Sequence, residues 1–96
     1  MNKQSIIANI KADKKYLHKK FGVEEIALFD SYARGEEKET SDVDILVTLK
    51  TPSYSLLMGL YVYLEKKLNA KIDIIRKGPH ISERFLSNIN RDLIYV

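Results

Sequence analysis

Apolar positions over residues 4–20 recur at helical spacing. Ile6, Ile10, Leu17 and Phe21 fall at multiples of three to four, Ile7 stands beside them, and lysines occupy the opposite side. The pattern predicts one amphipathic helix, stopped by Gly22 just past its end. The period then shortens. Glu25 to Phe29 reads as a buried strand, Ser31 to Arg34 has room for one helical turn, and Gly35 to Ser41 (GEEKETS) is a polar loop. Val43 to Leu49 is a second strand, rich in β-forming residues. Thr51-Pro52 marks the next helix start, with Thr as N-cap and Pro at the first helical position. Leu56, Leu57, Leu60, Tyr61, Leu64 and Leu68 form its apolar stripe, and Asn69 is suited to a left-handed closing conformation. Lys71 to Arg76 is a third short strand, broken by Lys77-Gly78-Pro79. Ile81, Phe85, Leu86 and Ile89 mark a last helix, and the tail LIYV either continues it or extends.

The order is αβ(α)βαβα, which predicts an α/β fold: a small mixed sheet of about three strands packed with helices. The 96 residues are read as a single domain, 1–96. Strand two reaches strand three through a helix, so that pair is expected to be parallel with a right-handed crossover. The short polar loop allows strands one and two to pair antiparallel.

Composition narrows the chemistry. The chain has no cysteine, which excludes a disulfide framework, a thiolate zinc site and a cysteine nucleophile. The N-terminus lacks an apolar signal-peptide core, and no apolar run approaches the ~20 residues of a membrane span, so the reading is cytoplasmic with no membrane partner. Net charge is +3 but uneven. Residues 1–20 carry six lysines against one aspartate, whereas residues 24–44 carry eight acids against Arg34 and Lys38. A basic frame suits an anionic partner. Its acidic centre repels one unless a metal cation intervenes.

That acidic centre holds the candidate chemistry. Asp42 and Asp44 alternate along one strand, so both carboxylates project to the same face. Two like charges so placed call for a cation, and carboxylate oxygens suit Mg²⁺ or Mn²⁺ with phosphate oxygens as further ligands. Standing alone, an Asp-x-Asp more often ends a solvated turn. Asp73 interrupts the apolar run Ile72, Ile74, Ile75. With strand three parallel to strand two, it shares the face of Asp42 and Asp44, and three convergent carboxylates suit two-metal phosphoryl transfer. Ser31 follows a buried strand, where a hydroxyl and backbone N–H groups seat a phosphate or simply cap a turn. Arg34 meets either a phosphate or an acid of the loop.

Taken together, these residues resemble the minimal nucleotidyltransferase (MNT) group of the DNA polymerase β superfamily. That family carries Gly-Ser, ten residues, then Asp-x-Asp; here Ser31 is followed by residues 32–41 and Asp42-Val43-Asp44. The wording S-Y-A-R-G ahead of S-D-V-D-I-L-V is similar as well, Asp73 falls where the third carboxylate is expected, and the Pro79–Val96 tail resembles the family's C-terminal helix. The resemblance implies a nucleotidyltransferase moving a nucleoside monophosphate from an NTP, with ATP as the expected donor, to a hydroxyl. It implies Ser31, with position 30 and Arg34, at the nucleotide; Asp42, Asp44 and Asp73 as catalytic and metal-binding residues; and Mg²⁺ or Mn²⁺ as cofactor. It also implies an antitoxin that adenylylates a HEPN-domain toxin, in a hetero-complex or homo-oligomer, with no nucleic-acid partner expected.

Position 30 departs from the family, which has glycine there. Asp30 adds a side chain and a negative charge beside an incoming triphosphate. It either repels the nucleotide, points away to cap the turn, or recruits the metal differently. The alternative to an active enzyme is therefore a catalytically impaired MNT that neutralises its partner by binding only. A third reading is a nucleic-acid binder using the basic first helix. His18 and His80 have no spaced partner and are not read as ligands, and Tyr32 offers a ring for base stacking.

Overall fold

The computed structural model describes residues 2–38 and 41–96. The predicted first helix is two: α1 (Lys3–Ala12) and α2 (Lys14–Phe21). They break at Asp13, whose backbone has φ −98° and ψ 4° and whose N–H turns back to the Ile10 and Lys11 carbonyls. The Asp13 carboxylate accepts a 2.6 Å hydrogen bond from the Tyr63 hydroxyl and lies 3.5 Å from Lys67 Nζ. The break lets the stripe predicted over one helix bend around a neighbour while Ile6, Ile10, Leu17 and Phe21 all stay buried. Gly22 ends α2 at φ 72°, in the left-handed region where only glycine is unstrained.

Strand β1 (Val23–Phe29) leads into the short helix α3 (Asp30–Arg34), and strand β2 (Val43–Leu49) follows the polar loop. Two residues of the predicted loop, at positions 39 and 40, lie outside the described residues. Helix α4 (Tyr54–Leu68) starts later than Thr51-Pro52 suggested. Ser53 is its N-cap, accepting from the Leu56 N–H, and Thr51 and Pro52 remain outside. Asn69 closes it with φ 48° and ψ 46°, as its side chain allows. Strand β3 (Ile72–Arg76), helix α5 (Glu83–Asn90) and strand β4 (Ile94–Tyr95) complete the chain.

Among the described residues the sheet has four strands in the order β3-β2-β1-β4, rather than about three. The LIYV tail extends rather than continuing α5 and pairs antiparallel with β1 through Ala27 and Leu28. β1 and β2 are antiparallel and β2 and β3 are parallel, as expected. The sheet divides the core in two. Val43, Ile45 and Val47 face the larger layer with Leu60, Leu64 and Leu68 of α4 and the stripes of α1 and α2. Gly59 permits this packing, since a Cβ there would meet Phe21 Cε1 at 3.1 Å. Phe29 and Leu46 face the other side, packed with Ile89, Phe85 and Leu86 of α5. Residues alternating with Val43 and Ile45 on β2 therefore look toward the α5 side. No helix among the described residues is long and apolar enough to cross a membrane.

Candidate active site

The site residues meet at one end of the sheet because of strand register. Phe29 pairs with Asp44 across β1–β2, and Asp44 pairs with Asp73 across β2–β3. Partners in adjacent strands share a face about 4.8 Å apart, so Asp44 and Asp73 stand side by side. Asp42 lies two residues before Asp44, on the same face. Asp30 directly follows Phe29, so the hairpin delivers it beside Asp44.

Asp30 is one of two non-glycine residues with positive φ among the described residues, at φ 58°. The extended Phe29 at φ −143° gives way abruptly to α3, and the chain turns through the left-handed region to do so. Aspartate is among the residues that tolerate this region, and glycine does so without cost. The position where the sequence departs from Gly-Ser is thus one whose backbone favours glycine.

Ser31 is the second residue of α3, not its N-cap, and its hydroxyl has no hydrogen-bond partner among the described residues. Its carbonyl accepts from the Glu36 N–H at 2.8 Å, closing the turn. Arg34 is engaged by acids. Its Nε donates to Glu36 Oε1 at 2.6 Å, and its Nη1 lies 3.3 Å from Asp92 Oδ2 and 3.8 Å from Asp30 Oδ1. Those hydrogen bonds, first to Glu36 and then to Asp92, raise its pKa further. Asp92 came from the far end of the chain, with no local signal in the sequence to mark it. Tyr32 does not offer a stacking ring, because it is buried in the larger core layer at 6% exposure.

The electrostatics mark Asp44 as the strained member. Partial burial, followed by the charges of Asp30, Asp73 and Asp42, pushes its carboxyl up to about 6, against a small pull from Arg34. Asp73 is exposed, and its Oδ1 accepts from the Tyr61 hydroxyl at 3.2 Å. Burial keeps the Tyr61 phenol above its ordinary pKa, so it remains a donor. Tyr61 was read from sequence only as part of the helix stripe; its hydroxyl's reach to β3 depends on helix-on-sheet packing.

The strand register sets Asp44 beside Asp73, while Asp42 immediately precedes β2 and has no register partner. Among the described residues no three His, Cys, Asp or Glu side chains gather at metal-ligating distance. The donor set still fits a hard divalent ion, since Mg²⁺ is commonly held by one or two carboxylates and keeps its remaining positions for water and phosphate. An ion there would also relieve the repulsion that raises Asp44. A concavity of about 750 Å³ lies elsewhere, at the opposite end of β1, walled by Lys14, Lys15, His18, Lys19 and Lys50. It holds one acid, Glu24, and none of the chemistry of the carboxylate row.

The nucleotidyltransferase-domain family matches residues 10–96, nearly the whole chain, and with this fold it defines a nucleotidyltransferase. A Methanocaldococcus jannaschii protein, described as a candidate protein adenylyltransferase, is 44% identical over 90 residues, covering 91% of this chain and 90% of its own. Protein adenylyltransferase MntA of Thermococcus cleftensis is 39% identical over 94 residues, covering 97% and 94%. A solved structure described as a candidate minimal nucleotidyltransferase superposes with TM-score 0.83 at 27% identity, covering 98% of this chain and 95% of that one. A mutant of the toxin–antitoxin pair MntA–HpeT shares the fold, with TM-score 0.68 at 19% identity, over 99% of this chain and 72% of that one. The chain belongs to the nucleotidyltransferase-domain family, in its minimal, MntA-like group.

Proposed function

We propose that this chain is a Mg²⁺-dependent protein adenylyltransferase that moves AMP from ATP to a hydroxyl of a HEPN-type toxin, acting as that toxin's antitoxin. The observation that carries the reading is the carboxylate row: Asp44 beside Asp73, with Asp42 two residues before Asp44 and Ser31 two residues beyond β1. Asp42 and Asp44 would hold the divalent ion, which would supply charge neutralisation to the triphosphate. Ser31 contacts the phosphates through its hydroxyl. Asp73 completes the site as a further ligand or as the base that takes the acceptor hydroxyl's proton. A new acceptor O–Pα bond forms, the bond from Pα to the bridging oxygen breaks, and pyrophosphate leaves. The toxin as acceptor is supported by likeness to relatives whose names carry protein adenylyltransferase and toxin–antitoxin.

A second reading is favoured by one observation: Asp30 projects a charge into this site from a backbone conformation that favours glycine. On that reading the chain neutralises its partner by binding alone. The deciding experiment incubates the protein with α-labelled ATP, Mg²⁺ and a HEPN-domain protein from the same genome. Label passing to the partner with wild type, and lost in D42N/D44N, is expected. No transfer by wild type but transfer by D30G establishes the binding-only reading, and transfer surviving D42N/D44N refutes the site assignment.

A further inference from the structure

β3 is the outer strand of the sheet, so half of its backbone groups have no strand partner. The Val43 N–H donates to the Lys71 carbonyl and the Lys77 N–H donates to the Val47 carbonyl. Odd-numbered residues of β3 therefore turn their backbone groups inward, and those of Ile74 point to the open edge. Tyr61, on α4, reaches over that edge. Its hydroxyl accepts from the Ile74 N–H at 2.8 Å and lies 3.2 Å from both the Ile74 carbonyl and Asp73 Oδ1. One phenol thus caps the Ile74 N–H and shares its single proton between the Ile74 carbonyl and Oδ1 of the only acid on β3, leaving Oδ2 without that contact.

We propose that Tyr61 is a positioning residue that fixes the Asp73 carboxylate beside Asp44, an inference that rests on the assignment of Asp73 to the active site. The hydroxyl holds Oδ1 at the sheet edge and leaves Oδ2 as the oxygen available to a ligand. Tyr61 touches neither substrate nor metal and acts through Asp73. Partners of this kind typically matter about tenfold or more in metal affinity or turnover.

Tyr63 supplies a matched control on the same helix. Its hydroxyl also donates to an aspartate, Asp13, at 2.6 Å, but that acid joins α1 to α2 and lies outside the site. Two readouts are taken on wild type, Y61F, Y63F, D73N and Y61F/D73N: Mn²⁺ affinity by electron paramagnetic resonance without nucleotide, and kcat and KM for ATP in the labelled-transfer assay. Thermal melts confirm that each variant is folded. Y61F is expected to weaken Mn²⁺ binding and lower kcat about tenfold, with KM for ATP within about twofold. Y63F is expected to change neither. Y61F/D73N is expected to match D73N, because the hydroxyl has then lost the group through which it acts. Wild-type values for Y61F, or a double variant weaker than D73N in Mn²⁺ binding, overturn the proposal. If wild type transfers no label, the Mn²⁺ arm still decides the role of Tyr61 while the adenylyltransferase reading falls separately.

Discussion

Asp44 and Asp73 are register partners in a parallel strand pair, 29 positions apart in the chain and adjacent on one face of the sheet. With Asp30 and Asp42 nearby, Asp44 carries the electrostatic cost of that arrangement. In metal-free protein its carboxyl is expected to titrate at about 6, read from the side-chain carbon shift by NMR. The folded state holds this proton more tightly than the unfolded chain does. The stabilisation it gives is therefore complete below the ordinary carboxylate pKa and is lost as pH rises through about 6. D44N is expected to remove that slope from urea melts taken between pH 4 and 7. Mg²⁺ should draw the Asp44 titration downward, and R34A should move it upward, since Arg34 favours the charged form.

Asp30 holds φ 58° where glycine would be unstrained. D30G relieves up to about 1–2 kcal/mol of left-handed strain but adds about 0.5–1 kcal/mol of unfolded-chain entropy, so stability should change little. D30V puts a β-branched residue in the same conformation and should destabilise by about 1–2 kcal/mol in chemical denaturation. For nucleotide binding, a unit charge about 4 Å from a phosphate costs about 1 kcal/mol in water. D30G should therefore lower KM for ATP several-fold. An unchanged KM would mean that Asp30 points away from the triphosphate.

Asp13 joins α1, α2 and α4 by accepting from Tyr63 and sitting 3.5 Å from Lys67. The same hydrogen bond, more than burial, pushes the Tyr63 phenol up to about 12. Removing one partner of a hydrogen bond to a charged group costs about 1–3 kcal/mol, so D13A should be clearly destabilising in thermal melts. K67A should cost less, about 0–1 kcal/mol, because its ion pair is more exposed. In ultraviolet titration of D13N, the Tyr63 phenolate should form at lower pH than in wild type.

Leu64 is fully buried between α4 and the sheet. L64A should cost about 2–5 kcal/mol. Small domains hold only about 5–15 kcal/mol in total, so the variant should melt far below wild type and lose activity through unfolding. By contrast, Y54F, at a side chain 78% exposed, should melt like wild type.

Local chemistry was legible along the chain. The spacing of Ile6, Ile10, Leu17 and Phe21 marks a helical face because burial and helical period act over a few residues. Gly22 and Asn69 end helices because their side chains tolerate the left-handed region. Asp42 and Asp44 share a face because strand period is two. Ser31 and the Asp-x-Asp, with ten residues between them, carried the family resemblance together with Asp73 and the local wording around them. Other features depended on partners far along the chain. Asp13 breaks a helix because Tyr63 and Lys67 lie opposite it. Arg34 is held by Asp92, 58 positions away. The LIYV tail becomes a strand because β1 leaves an edge open there. Asp73 stands beside Asp44 only because β3 docks parallel to β2, and Tyr61 reaches it only because α4 packs across that edge. Periodicity and spacing determine which residues can form an element and which face they share; which elements become neighbours, and therefore which charges meet, is decided by non-local packing.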